Sequence, residues 1–179
     1  MNRIKYTITT LFTSNPPQKN VIINVIKNRI WHKTMFRASS IHTMDPKGRV
    51  IIPARFKTVI EAGGGELMIT TNAGCLYAYT MGKWSEIEKK LMRIKQDHMT
   101  RFKRVFLGNA TLCTYDKQDR IVIPKPLRNY ADLKKKIMLV GLLDRFEIWS
   151  KEGWEMEASK LKDDLNQQDV RDTIASVGL

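Results

Sequence analysis

The chain has 179 residues, 42% of them apolar, and a formal net charge of +13. That length suits one ordinary domain, or two small ones sharing a core, and no run approaches the ~20 apolar residues of a membrane-spanning helix. The only cysteines, Cys75 and Cys113, are far apart and form no C-x-x-C pair, which reads as free thiols in a reducing compartment.

Residues 1–34 carry six basic side chains and no acidic ones. Nothing in the rest of the chain repeats them, so they read as an extension to the folded part, disordered or upstream of a true start at Met35. A basic DNA-binding arm is the alternative. A secretory signal is disfavoured, because I-T-T-L-F-T is short and polar and no small-residue cleavage site follows.

From Phe36 the chain repeats itself. A shift of 71 lays S-I-H-T-M-D-P-K-G-R-V-I-I-P over T-L-C-T-Y-D-K-Q-D-R-I-V-I-P, and after a one-residue slip a shift of 70 lays Leu76, Tyr79 and Trp84 over Phe146, Trp149 and Trp154. A repeat governs the architecture. In chain order, each copy opens with a short strand, Ser39–Met44 or Thr111–Tyr115, and a polar turn, D-P-K-G or D-K-Q-D. A β-branched strand follows, Val50–Ile52 or Ile121–Ile123, ended by Pro53 or Pro124; proline suits the first turn of a helix, where its missing N–H is no loss. A two-turn helix comes next, A-R-F-K-T-V-I or K-P-L-R-N-Y-A, and then two strands, Glu66–Thr71 with Cys75–Tyr79, or Lys136–Val140 with Arg145–Trp149. Four short strands cannot enclose much core alone, so the two copies are expected to interdigitate into one barrel.

A helix closes each copy. After Thr80, Trp84, Ile87, Leu91 and Ile94 form an apolar stripe; after Ser150, so do Trp154, Ala158, Leu161 and Leu165. Both stripes read as packing faces against the barrel or a neighbouring subunit. The acidic outer face of the second disfavours a membrane surface. The expected organisation is an extension (1–34), a first repeat (36–82), a linking helical region (83–106), a second repeat (107–153) and a C-terminal helix (154–179).

Charge suits a polyanionic partner and equally a basic protein without one: residues 35–149 carry 21 basic and 11 acidic side chains, residues 150–179 four and seven. Arg49 and Arg120 stand after the two turns, where a guanidinium can bind a guanine edge bidentately. An ion pair to Asp45 or Asp116, four residues earlier, is the alternative use and is compatible with the first. Lys47 and Arg37 read as phosphate contacts or solvated charges; Lys57 and Arg128, on the short helices, as contacts to phosphate or to a neighbouring subunit. Arg101, Lys103 and Arg104 suit either a DNA face or an interface, and Lys134-Lys135-Lys136 a solvated turn. Asp45 and Asp116 read as turn-holding carboxylates. There is no P-loop, G-x-S-x-G or H-E-x-x-H, and His32, His42 and His98 share no metal-ligand spacing. No enzyme, metal or cofactor is expected.

The pattern D-x-x-G-R-x-x-x-P, present as Asp45, Gly48, Arg49 and Pro53, resembles the DNA-binding hairpin of the AbrB/SpoVT superfamily. Its tandem duplication, with M-F-R-A-S-S-I-H-T-M-D-P-K-G-R in the first copy and D-R-F-E-I-W-S in the second, resembles the MraZ family. The resemblance implies an α+β, mainly β fold: a double-split, swapped-hairpin barrel built from two tandem repeats, with a helix after each. It also implies a ring-like homo-oligomer on double-stranded promoter repeats, repressing the division and cell-wall gene cluster that includes its own gene, in the cytoplasm at the nucleoid. An antitoxin-like interaction module and a nonspecific nucleoid-binding protein are the competing readings. One position departs from the pattern: Asp119 stands where the family often has a second glycine, and aspartate tolerates a left-handed backbone better than most residues.

Overall fold

The computed structural model describes residues 35–95 and 97–179; the expectations for residues 1–34 lie outside them. Among the described residues, eight strands and six α-helices follow in chain order: β1 (Ser39–Thr43), β2 (Arg49–Ile51), α1 (Ala54–Ala62), β3 (Glu66–Asn72), β4 (Cys75–Thr80), α2 (Met81–Arg93) and, after a single turn of 3₁₀ helix, α3 (Thr100–Gly108). The second copy supplies β5 (Thr111–Thr114), β6 (Arg120–Val122), α4 (Lys125–Tyr130), β7 (Lys136–Leu142), β8 (Arg145–Ser150), α5 (Lys151–Asp164) and α6 (Gln168–Ser176).

Six strands form one antiparallel sheet in the order β1-β7-β8-β4-β3-β5, and β2 pairs with β6 in a separate two-stranded ribbon. Exchanging the two copies turns that order into itself. The register obeys the same exchange: Ile41 opposite Met138 has its counterpart in Leu112 opposite Met68, and His42 opposite Ile137 in Cys113 opposite Leu67. Two pairs map onto themselves, Val50 with Ile121 in the ribbon and Tyr77 with Glu147 in the sheet. The 71- and 70-residue offsets of the sequence are therefore a pseudo-two-fold axis through both pairs.

The expectation of one interdigitated barrel is met only in part, because the sheet does not close. β1 and β5 end the six-stranded sheet as edges. β2 and β6 are three residues each and pair across the axis, so each first strand and the β-branched strand after it part company; one isolated bridge, Tyr115 to Ile121, ties β5 to the ribbon. Pro53 and Pro124 stand one residue before their helices as N-caps, where they end the ribbon because they have no N–H to donate.

The inner face of the sheet alternates with the pleat. Leu67, Ile69, Leu76, Ile137, Leu139, Phe146 and Ile148 are fully buried against Val50 and Ile121 of the ribbon, Ile123 just after it, and Phe56, Ile60 and Leu127 of the short helices. Phe36, Phe56 and Phe146 meet at the centre, with ring centroids 5.0–5.3 Å apart. Both copies thus share one core. The outer face is covered unevenly. α2 and α3 form a helical hairpin, where a single linking helix was expected, and pack Trp84, Leu91 and Phe106 over Tyr79. Of the second apolar stripe only Trp154 reaches the sheet, beside Trp149; Leu161 and Leu165 are exposed. The expected single C-terminal helix is two, α5 starting at Lys151 and α6 following a break at residues 165–167.

Candidate nucleic-acid interface

Each turn is closed by its aspartate. In turn 1, Gly48 donates its N–H to the Asp45 carbonyl (2.9 Å) and Asp45 to that of Arg49 (3.1 Å); turn 2 repeats both bonds between Asp119, Asp116 and Arg120 at 3.0 and 2.8 Å. The carboxylates complete the arrangement. Asp45 accepts from the Arg49 backbone N–H (2.9 Å) and its Nε (2.5 Å). Asp116 accepts from the Arg120 backbone N–H (3.1 Å), Nε (2.9 Å) and Nη2 (2.7 Å), and from Gln118 N–H (2.8 Å). These charge-assisted bonds favour the ionised acids: the Arg120 guanidinium above all lowers the Asp116 carboxyl to about 2, and the Arg49 backbone N–H is the main cause that lowers Asp45.

The fourth residue of each turn needs a left-handed backbone. Gly48 has φ +83° and Asp119 +58°. Each turn also locks onto the opposite copy: Ile52 N–H donates to the Asp119 carbonyl and Ile123 N–H to that of Gly48, both at 2.8 Å.

The two arginines belong to the ribbon, one residue earlier than the strands were expected to begin. Arg49 faces Val122 and Arg120 faces Ile51 on either side of the buried Val50–Ile121 pair. Period-2 alternation puts all four on the outward face, where Arg49 and Arg120 are half-buried and Ile51 and Val122 are 59% and 52% exposed. The ion-pair use of both arginines is therefore realised, and it holds the guanidiniums in place at the surface. Ile51 and Val122 were missed by the sequence reading. Their alternation with arginine was visible, but β-branched residues in a short strand look like core.

The short helices cross to the other copy's turn. Lys57 on α1 reaches the Asp119 carboxylate (2.6 Å) and, more loosely, Glu61 (3.8 Å). Arg128 on α4 lies against Gly48 and donates from Nη1 to the Pro46 carbonyl (3.3 Å). Lys47 is exposed at the tip of turn 1. Arg37 is not brought to this group. It precedes the five residues of β1 while turn 1 follows them, roughly 17 Å of strand at about 3.4 Å per residue. Its carbonyl accepts instead from Arg55 Nε (3.2 Å), a residue the sequence reading did not single out. Arg101, Lys103 and Arg104 lie on α3, and Lys103 Nζ is bonded to the Ile94 carbonyl.

No helix among the described residues is long and apolar enough to cross a membrane. A duplicated turn, an arginine behind each aspartate and a shared core invite comparison with known proteins. The family described as "MraZ protein, putative antitoxin-like" matches this chain twice, over residues 35–105 and 106–175. A protein named transcriptional regulator MraZ from Desulforapulum autotrophicum is 54% identical over 146 residues, covering 81% of this chain and 100% of the relative. Proteins of the same name from Desulfosudis oleivorans and Shewanella frigidimarina are 46% and 40% identical, covering 100% and 93% of their own lengths and 81% and 76% of this chain. With both halves matched and relatives aligned over nearly their whole length, this chain belongs to the MraZ family.

Proposed function

We propose that this chain is a transcriptional regulator that binds double-stranded DNA in a sequence-specific way through the β2–β6 ribbon, and that it represses the division and cell-wall gene cluster in which its own gene lies. The observation that carries this reading is the ribbon itself. A two-stranded antiparallel ribbon is narrow enough to enter the major groove. Its outward face offers Arg49 and Arg120 for guanine edges, and Ile51 and Val122 for thymine methyl groups. The aspartate bonds restrain both guanidiniums before DNA arrives, which lowers the ordering cost of binding. Lys47, and Lys57 and Arg128 to the extent their partners release them, supply phosphate contacts that orient without reading. The names of the relatives agree with such a role.

The same reading takes the sheet and ribbon together as a double-split barrel with exchanged hairpins, open at β1 and β5. It places the protein in the cytoplasm at the nucleoid, and it brings several chains together in a ring, so that several weak hairpin contacts to repeated DNA boxes add by avidity. The exposed Met156, Leu161 and Leu165 of α5 and its vicinity are the surface for that assembly.

The experiment is footprinting and gel-shift binding on the DNA just upstream of the gene. Arg49→Ala and Arg120→Ala are each expected to remove about 1–3 kcal/mol of discrimination, while circular dichroism and light scattering report a folded, assembled protein. Operator DNA shifted as well by both variants as by the natural chain overturns the assignment. An antitoxin-like role is the second reading, favoured by the family's description and by the same exposed C-terminal helices. Stoichiometric capture of the product of a neighbouring toxin gene, with no footprint, would establish it instead.

A further inference from the structure

The two turns share a backbone and differ in the charge around them. Under the pseudo-two-fold exchange, Gly48 corresponds to Asp119, Arg128 to Lys57, and Lys134 and Lys135 to Gly64 and Gly65. Turn 1 shares a cleft with Arg128, Lys134 and Lys135, and turn 2 meets Lys57.

At turn 2 the cation already has its anion, since Lys57 Nζ sits 2.6 Å from Asp119 Oδ1. At turn 1 that geometry is impossible. A Cβ on Gly48 would stand 3.0 Å from Arg128 Nε and 3.1 Å from Cζ, so the guanidinium fills the space an aspartate would need. Arg128 Nε is buried with no hydrogen-bond partner among the described residues. Beside it runs a cleft of about 530 Å³ lined by Asp45, Pro46, Arg128, Leu133, Lys134 and Lys135. Within it Asp45 is held by Arg49, and Lys134 by Asp132 at 3.1 Å. No carboxylate among the described residues lies within 4.0 Å of a cationic nitrogen of Arg128, Lys135 or Lys47.

We propose that the two turns of one chain are unequal anion sites: the turn 1 cleft seats a DNA phosphate on Arg128 and Lys135, whereas at turn 2 the carboxylate of Asp119 already occupies Lys57. The inference rests on the DNA-binding reading above and adds which half of each chain grips the backbone. Asp119 acts as a tethered competitor, present at high effective concentration whatever the DNA concentration. A planar guanidinium beside a mobile ammonium suits a phosphodiester. Both arginines still reach base edges from the ribbon, so the asymmetry lies in affinity and salt dependence, with sequence reading shared.

The test is fluorescence anisotropy of the full chain, on a duplex from upstream of its gene and on a scrambled duplex of equal length, across a salt series. Arg128→Gln and Lys135→Gln each weaken binding to both duplexes and flatten the plot of log affinity against log salt by about 0.9 for each phosphate left unneutralised. Lys57→Gln weakens binding and flattens the slope by less than half as much as either, because the charge it removes is already neutralised by Asp119. Asp119→Asn, which keeps a residue tolerant of left-handed φ, tightens binding and steepens the slope by about 0.9 per chain; adding Lys57→Gln cancels that gain. Lys135 is exposed, so its variant decides the matter even where Arg128→Gln folds poorly. Equal losses from Lys57→Gln and from Lys135→Gln or Arg128→Gln, with Asp119→Asn silent, overturn the inference and leave the DNA-binding reading standing. A natural chain that binds neither duplex overturns both.

Discussion

Gly48→Ala is expected to cost about 2–4 kcal/mol of folding stability, although it adds one methyl group at a surface turn. At φ +83° an L-residue is penalised by roughly 1–2 kcal/mol, and this φ lies beyond the best part of the left-handed well. The new Cβ would also meet the Ile123 carbonyl oxygen at 2.6 Å. That oxygen is backbone, and it is tethered, because Ile123 N–H is bonded to the Gly48 carbonyl at 2.8 Å. Relief therefore means moving the turn against the ribbon, an overpacking strain of about 1–3 kcal/mol. Lower chain entropy in the unfolded state returns about 0.4–1 kcal/mol. Asp119→Gly at the equivalent position is the control. It relieves an L-residue at φ +58° and adds unfolded-state freedom, two backbone effects of about 1 kcal/mol each and opposite sign. Urea unfolding of both variants, at one protein concentration because assembly stabilises the fold, measures the difference at constant m. A Gly48→Ala midpoint within about 0.5 kcal/mol of the natural chain would refute the left-handed, tethered turn.

Two further outcomes follow from the ionisation of buried and bonded groups. Asp116 is held at about 2 and Asp45 is also lowered, so their contribution is fully present above the ordinary carboxylate pKa of about 3.9 and is lost as pH falls from there through about 2. Asp116→Asn should flatten the decline of unfolding midpoint over that acid window and leave its pH dependence near neutrality unchanged. Burial pushes both thiols up, that of Cys113 to about 11, so neither should react with a disulfide reagent at pH 8 until urea unfolds the chain. A rapid stoichiometric thiol reaction in native buffer would contradict the packing around Cys75 and Cys113.

Much of the fold was legible because a repeat in sequence became an axis in space. The offsets of 71 and 70 specify which strands are equivalent, and the self-paired Val50–Ile121 and Tyr77–Glu147 positions follow once the copies interlock. The Asp45–Arg49 and Asp116–Arg120 pairs were legible too, since a four-residue spacing across a turn is local. The open sheet edges were not, because β1 pairs with β7 through contacts about a hundred residues distant. Nor was the break between α5 and α6, for Leu165-Asn166-Gln167 contains no glycine or proline. The second stripe of leucines was plain in the sequence, but amphipathic spacing says only that a face is apolar, and among the described residues Leu161 and Leu165 stay exposed.

The two turns show where similarity between the copies stops carrying meaning. Glycine and aspartate can both occupy a left-handed position, so the backbone bonds of turn 1 recur in turn 2 within 0.3 Å. A comparison of patterns would score position 119 as a tolerated substitution. The side chain, however, projects toward whatever the swapped ribbon brings from the other copy, and there a lysine meets it at 2.6 Å. At position 48 the same direction in space is filled by Arg128. Turn shape is decided by a residue's own torsions and is preserved by either residue type; each turn meets a cation some sixty to eighty positions away, Arg128 or Lys57, and only at turn 2 does the turn's own residue carry a carboxylate to neutralise it. Equivalence of the two copies thus holds for the scaffold and fails for the electrostatics around the turns.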